Sequence, residues 1–380
     1  MSDEADSFRK SMFKFRVLAQ DPDTGARAGE FETPHGVVPT PAFMPCATQG
    51  TVKALTPVHL EEVGVQMLLA NAWHLSLRPG AELVARMGGI HRFMNWEKPI
   101  LTDSGGFQIF SLSALRTISE GGVLFKSHLD GRQIFLTPER CIEIENQIGA
   151  DVIMPLDECA PFPCEKAHAR SAMERTLGWA ARCKSAHRRE DQALFGIVQG
   201  ATCPELRREC ADRIVALDLP GHSIGGLSVG EGLDLMVEMT ALTVERLPPA
   251  KPRYLMGVGR PEDIVACVAQ GVDLFDCVLP TRCGRNGLAF TTRGRVKVRN
   301  TAHRADERPL DPLCDCLACQ RFSRAYLRHL FQAGEMLGLT LLSLHNLRYY
   351  MRLMADMRRA IIEGRFSEFR KKFLESANDE

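Results

Sequence analysis

The sequence predicts an α/β fold, a single (β/α)8 barrel (TIM barrel) with an N-terminal antiparallel cap and an insertion near the last barrel unit. Eight short apolar runs carry this expectation, at PAFMPCA (41–47), QMLLANA (66–72), PILTD (99–103), DVIMPLD (151–157), LFGIVQG, HSIGGLS, YLMGVG and LFDCVLP. Between them lie segments with apolar residues at helical spacing and charged outer faces, as in 166–189 and 204–217. Strand alternating with helix is the mark of a parallel sheet, and eight such units close a barrel. A doubly wound open sheet is the rival, but no glycine-rich phosphate loop follows the first strand.

Taken in order, FKFRV (13–17) alternates in polarity, and DPDTG and TPHG are turn signals, so the first forty residues should form the cap. The barrel units follow to about residue 280. The last third then departs from the alternation, with an Arg-rich strand-like stretch (288–299), a cysteine cluster (314–319) and long helical segments. No solenoid-period repeat and no low-complexity linker divides the chain. One catalytic domain spanning 1–380, with a subdomain inserted at 284–350, is therefore expected.

Composition narrows the functional classes. A chain of 380 residues, 45% hydrophobic and 25% charged, is ordinary globular material. Its 47 basic and 47 acidic residues argue against a globally basic nucleic-acid binder, so charge must be read locally. The polar start MSDEADSFRKSMFKF resembles no signal or transit peptide, and no apolar run reaches the roughly 18 residues a membrane span needs, so a cytoplasmic location is expected. Thirteen scattered cysteines, an odd count, fit reduced thiols better than a disulfide framework.

Nearly every candidate strand ends in polar or glycine residues: Asn71 with His74, Asp103, Asp157 with Glu158, Gln199, Gly225 with Gly226, and Asp276. In a barrel these ends share the face where active sites form. Strand-stopping and helix-capping would explain any one of them, but not three aspartates and a glutamine together. Without an HxH pair or HExxH near these strands, the carboxylates themselves must do the chemistry. Two carboxylates facing one bond can divide the work, one attacking an anomeric carbon and one handling the leaving group's proton. Substitution at a glycosidic centre follows as the natural reading.

CDCLAC places Cys314, Cys316 and Cys319 in a C-x-C-x2-C pattern, and His345 follows after 25 intervening residues. Three thiolates and an imidazole satisfy tetrahedral zinc and leave no open position, so one structural Zn2+ per chain is expected. Between Asp276 and Asp306 the only charged residues are Arg282, Arg285, Arg293, Arg295, Lys297, Arg299 and Arg304. This local excess suits contacts with phosphates beside the barrel mouth, a merely solvated basic face being the alternative.

Together, LTDSGGFQIFSL, FKSHLDG, DECAPFP, FGIVQG, IGGLSVGE, YLMGVG, DLFDCVLPTRCGRNG and the Cys3His set resemble the signatures of the bacterial tRNA-guanine transglycosylases, over about residues 13–370. The resemblance implies a tRNA substrate engaged at its anticodon loop, a 7-deazaguanine base and exchange without ATP. The wobble guanine of tRNAs with GUN anticodons would be replaced by preQ1 (7-aminomethyl-7-deazaguanine) in queuosine biosynthesis. By the same resemblance Asp276 is the nucleophile toward the ribose anomeric carbon, and Asp103 the general acid/base. Asp157 and Gln199 would bond the base edge, Gly226 and Leu227 would offer backbone groups, and Phe107 and Met256 would sandwich the purine. Cys159 and Val229 would flank the base's side arm, and Arg282, Arg285 and Arg260 would hold the tRNA. Val229 and Cys159 leave little room for the cyclopentenediol of queuine, so preQ1 is the expected base.

The family's NTYHL stands here as NAWHL, with Ala72 and Trp73, a departure expected to bear on the dimer side rather than on the chemistry. A homodimer is implied, with Phe322, Tyr326 and His329 recurring at helical spacing beside the cysteines. Rival readings are a queuine-inserting enzyme of the same family, an archaeal-type enzyme acting on the tRNA core, and a catalytically silent RNA-binding paralogue. The paired Asp103 and Asp276 argue against the last.

Overall fold

The structure is a computed structural model that describes residues 12–106 and 116–378. Its centre is a closed ring of parallel strands: β1 (Ala42–Pro45), β2 (Leu68–Asn71), β3 (Ile100–Asp103), β4 (Val152–Ile153), β5 (Ala193–Leu194, resumed as Gly196–Val198), β6 (His222–Ile224), β7 (Arg253–Leu255) and β8 (Leu274–Cys277). Each pairs with the next, β8 returns to β1, and the seam between β1 and β2 is closed by a parallel bridge from Cys46 to Leu69. The expected (β/α)8 barrel is therefore the observed one.

Two to four residues per strand suffice because the ring is filled from within. Met44, Leu69, Leu101, Met154, Phe195 and Tyr254 are buried in one interior cluster. Phe13, Phe31 and Val38 join that cluster from the antiparallel sheet Phe15–Gln20, Arg27–Thr33 and Gly36–Thr40, so the cap plugs the end where the barrel strands begin. A buried bidentate pair fastens it there, Arg27 reaching both oxygens of Asp273 at 2.9 and 2.5 Å. On the outside, apolar helix faces pack against the strands' outer residues.

Local sequence sets the helix ends. In Pro138–Ile148, Thr137 accepts from the Arg140 amide, Pro138 occupies the first turn, and Gly149 closes the helix at φ +78°. The helices Pro204–Val215 and Pro261–Val268 also open on proline. No helix among the described residues is long and apolar enough to cross a membrane.

Two additions interrupt the alternation. An antiparallel sheet of Arg116–Ser119, Gly122–Lys126 and Gln133–Leu136 stands between β3 and β4; the sequence reading had not foreseen it. After β8 come the helix Leu279–Arg285, the hairpin Leu288–Thr291 with Gly294–Lys297, the cysteine cluster, and the helix Met336–Ile362. That long helix returns to the barrel wall, where Tyr350 meets Phe43 of β1 with ring centroids 4.8 Å apart.

Candidate active site

Parallel strands deliver their last residues to one face, and a cleft of about 300 Å³ opens there. Asp103, Asp157, Gln199, Gly226, Met256 and Asp276 line it, with Cys159, Leu227 and Val229 along one wall. Residues far apart in sequence thus meet, as the strand-end pattern predicted.

Asp276 is buried near the end of β8. Its Oδ1 accepts from the Tyr254 hydroxyl at 2.6 Å and from the Gly257 amide at 2.8 Å, and its Oδ2 from the Cys46 thiol at 3.5 Å. Burial raises its pKa above the ordinary carboxylate value, and these three donors oppose the rise. Asp103 ends β3 directly beside Asn71 of β2. The Asn71 amide donates to Asp103 Oδ1, while the Asn71 carbonyl oxygen caps the helix Ala72–Leu77 by accepting from the His74 amide at 2.8 Å. One side chain thereby starts the helix and orients the carboxylate.

Across the cleft, Gln199 Nε2 donates to Asp157 Oδ2 at 2.7 Å. Burial lifts the Asp157 carboxyl to about 6, with the Gln199 hydrogen bond opposing and the Glu158 charge adding to the rise. Gln199 Oε1 is buried with no hydrogen-bond partner among the described residues. Gly226, at φ +67°, passes so close to this atom that a Cβ would stand 2.3 Å from it. Behind the wall, buried Arg207 ties two strand-end loops together, donating to Ala201 O at 2.7 Å and Gly225 O at 2.8 Å.

The remaining expected residues divide. Phe107 lies outside the described residues. Arg282, on the helix that follows β8, and Arg260, just after β7, are exposed, whereas Arg285 is half-buried; none of the three lines the cleft. Two members of the basic stretch have partners within the protein, Arg295 with Glu262 at 2.8 Å and Arg299 with Phe331 O at 2.9 Å. Trp73 is corrected: it is buried, edge-on to Phe125 at 4.3 Å and against Gly105, and so it braces the loop after Asp103 from inside the subunit. Phe322 precedes the helix Arg324–Ala333, capped by Ser323, yet still stacks on Tyr326 with centroids 5.3 Å apart.

Sequence reasoning missed Cys46, Tyr254 and Arg207. Tyr254 lies mid-strand, where an inward residue is ordinarily only filling, and Arg207 sits in a helix whose charges otherwise face solvent. Cys46 closes the PAFMPC run one residue past β1, a strand-end position like the others; that was the available signal.

Cys314, Cys316, Cys319 and His345 present four ligand atoms all within 4.8 Å of one another. His345 Nε2 engages the Phe290 carbonyl at 2.8 Å, so this nitrogen carries the proton and Nδ1 faces the thiols, 3.2 Å from Cys319 Sγ and 3.6 Å from Cys316 Sγ. The donor set and the fixed tautomer fit a metal ion, and none of the four residues lines the cleft. A second group, His35, His91 and Asp151, lies at the barrel's opposite end. There the stacked imidazoles, 3.6 Å apart, each hold a different oxygen of Asp151, at 2.7 and 2.9 Å, and Oδ2 also takes the Ile100 amide. Burial alone would raise the Asp151 carboxyl, but these donors hold it at about 2. Parallel rings do not converge on one point, so this group is a bracket between cap and barrel floor.

A closed parallel barrel with carboxylates gathered where its strands end defines an α/β-barrel enzyme. The family model described as queuine tRNA-ribosyltransferase matches residues 21–379. A protein of that name from Caldanaerobacter subterraneus subsp. tengcongensis is 55% identical over 362 residues, covering 95% of this chain and 96% of its own. Another from Symbiobacterium thermophilum is 56% identical over 363 residues, 95% of this chain and 91% of its own. A third from Desulforamulus reducens is 53% identical, covering 96% and 99%. The chain belongs to the queuine tRNA-ribosyltransferase family, a family of pentosyltransferases.

Proposed function

We propose that this chain is a cytoplasmic tRNA-guanine transglycosylase that exchanges the wobble guanine of tRNAs with GUN anticodons for preQ1 in queuosine biosynthesis. The observation that carries this reading is the buried Asp157 carboxyl, held by Gln199 in the cleft that also holds Asp103 and Asp276. A guanine edge presents N–H donors to such a carboxylate, and the nucleophile stands in the same cleft.

In this mechanism the Asp276 carboxylate attacks C1′ of the ribose as the C1′–N9 bond breaks. The bonding pair departs with guanine, and Asp103 in its acid form supplies the proton. The incoming 7-deazaguanine returns its N9 proton to Asp103, its nitrogen bonds C1′, and the ester pair reverts to Asp276. The tRNA stays bound through both halves, and an anticodon base is already unpaired, which lowers the cost of turning it out. Met256, with Phe107, would cover the purine faces; Leu227 O would meet the preQ1 ammonium, and Cys159 and Val229 would crowd the bulkier queuine arm. Arg282, Arg285 and Arg260 would hold anticodon phosphates. Residues 284–350 would form a zinc-binding subdomain within the one catalytic domain, the ion bracing structure rather than entering the chemistry.

Exchange of radiolabelled guanine into unmodified tRNA tests the reading. The unaltered enzyme is expected to exchange the base and to leave a denaturation-resistant adduct with tRNA. Asp276→Asn should lose both by several orders of magnitude. An adduct persisting in that variant would place the nucleophile elsewhere.

A homodimer is also proposed, through the stacked Phe322 and Tyr326 and the exposed Leu313 and Met336 of the same segment. Light scattering at micromolar concentration should give twice the chain mass; a monomer there would remove the dimer.

A further inference from the structure

The two oxygens of Asp276 stand in unlike surroundings. Oδ1 is leashed by two strong donors, the Tyr254 hydroxyl and the Gly257 amide, whereas Oδ2 has one hydrogen-bond partner among the described residues, the Cys46 thiol at 3.5 Å. A thiol is a weak donor, so such a contact orients an oxygen and is readily given up. The thiol is itself well placed. Cys46 forms the bridge to Leu69 that closes the barrel seam, and the next amide, of Ala47, donates to Leu69 O at 2.6 Å.

We propose that Cys46 is a positioning residue that presents Asp276 Oδ2 as the attacking oxygen and tempers its basicity. The proposal rests on the reading of Asp276 as nucleophile. In the first half-reaction a lone pair of Oδ2 forms the bond to C1′, the C1′–N9 pair leaves with guanine, and Asp103 donates the proton. Oδ2, now an ester oxygen and a poor acceptor, releases the thiol. Oδ1, now the ester carbonyl, keeps both its donors. When the second base attacks C1′, the ester pair returns to Oδ2 and the thiol contact re-forms. The groups facing Asp276 are Cys46 just past β1, Tyr254 from β7, and Asp103 from β3 across the cleft, with Cys277 beside it on β8. Burial and the neighbouring Asp276 charge push the Cys46 thiol well up, so it stays a protonated donor through the working range.

Single-turnover adduct formation with saturating tRNA, followed against pH, tests this in Cys46→Ser and Cys46→Val. A hydroxyl donates more strongly, so the Ser variant should form adduct about threefold more slowly at pH 7, with its acid limb moved down by about half a pH unit. Val removes the donor, and its acid limb should move up by a similar amount. Should Val fail to fold, Ala removes the donor without adding volume. A limb due to Asp157 is common to all these enzymes and does not shift between them. Superimposable pH profiles would reduce Cys46 to filling and overturn the proposal. Failure of the unaltered enzyme to form any adduct would overturn the nucleophile reading instead, and this inference with it.

Discussion

Asp157 is where protonation should be felt first. Its carboxyl titrates at about 6 because burial outweighs the Gln199 hydrogen bond. A carboxylate can accept from two N–H groups of a guanine edge, whereas a carboxylic acid cannot accept both. The affinity for free base is therefore expected to fall as pH drops through about 6, with KM for guanine rising up to about tenfold per unit and kcat at saturating base holding. Asp157→Asn should flatten that limb and raise KM at every pH by about ten- to a hundredfold. A guanine KM that stays constant from about pH 5 to 7 would remove Asp157 from base recognition. The sign for stability runs the other way. An acid whose folded pKa is raised stabilises the fold below its unfolded pKa and loses that contribution as pH climbs through about 6, so the Asn variant without base should melt higher at neutral pH. Asp103, Asp157, Gln199 and Asp276 were legible because each is polar where an apolar run stops. Tyr254 was not, because its hydroxyl reaches Asp276 only once the closed barrel sets β7 beside β8.

At the scale of elements, the loop after β3 shows how tightly the carboxylates are set. Gly105 has φ +82°, and a Cβ there would stand 2.2 Å from the Trp73 Cβ. Trp73 cannot withdraw, since it lies on the helix Ala72–Leu77 capped by Asn71 and packs edge-on against Phe125. Gly105→Ala should therefore push the loop and Asp103 off position, and a shift of about 1 Å costs on the order of a hundredfold in rate. Because the same loop brings Gly106 into the cleft beside Asp157, kcat should fall and guanine KM should rise with it. No loss in either would show that the loop has slack. Trp73 was misjudged in the sequence because a motif substitution does not say which way a side chain points. The barrel strands were readable as apolar runs since both their faces are covered. The sheet of Arg116–Ser119, Gly122–Lys126 and Gln133–Leu136 was not, since its outer strands are only four residues long and largely exposed.

Across the whole molecule, the Cys3His cluster and the barrel mouth are joined by one helix. Met336–Ile362 carries His345 toward the cysteines, Asn346 to the Phe290 amide at 2.9 Å and to the Pro280 carbonyl, and Tyr350 to the Gly259 carbonyl. Gly259 ends the Met256–Gly259 loop, in which the Gly257 amide holds Asp276 Oδ1. Fixing His345 by a metal would therefore fix, about 1.4 helical turns on, the residue that buttresses the loop holding Asp276. Zinc is the proposed ion, since three thiolates and an imidazole suit it and a closed four-ligand set leaves no site for substrate. Cys316→Ala is expected to purify without stoichiometric zinc and to melt about 5 °C lower or more, while far-UV circular dichroism keeps the barrel's content. Base exchange should fall about tenfold or more through kcat, because the disturbance reaches Asp276 and not the Asp157 edge of the cleft. Undiminished zinc in that variant would take the cluster out of the argument. Zinc lost with melting and exchange both unchanged would mean that the long helix holds its place by packing alone, through contacts such as Tyr350 against Phe43.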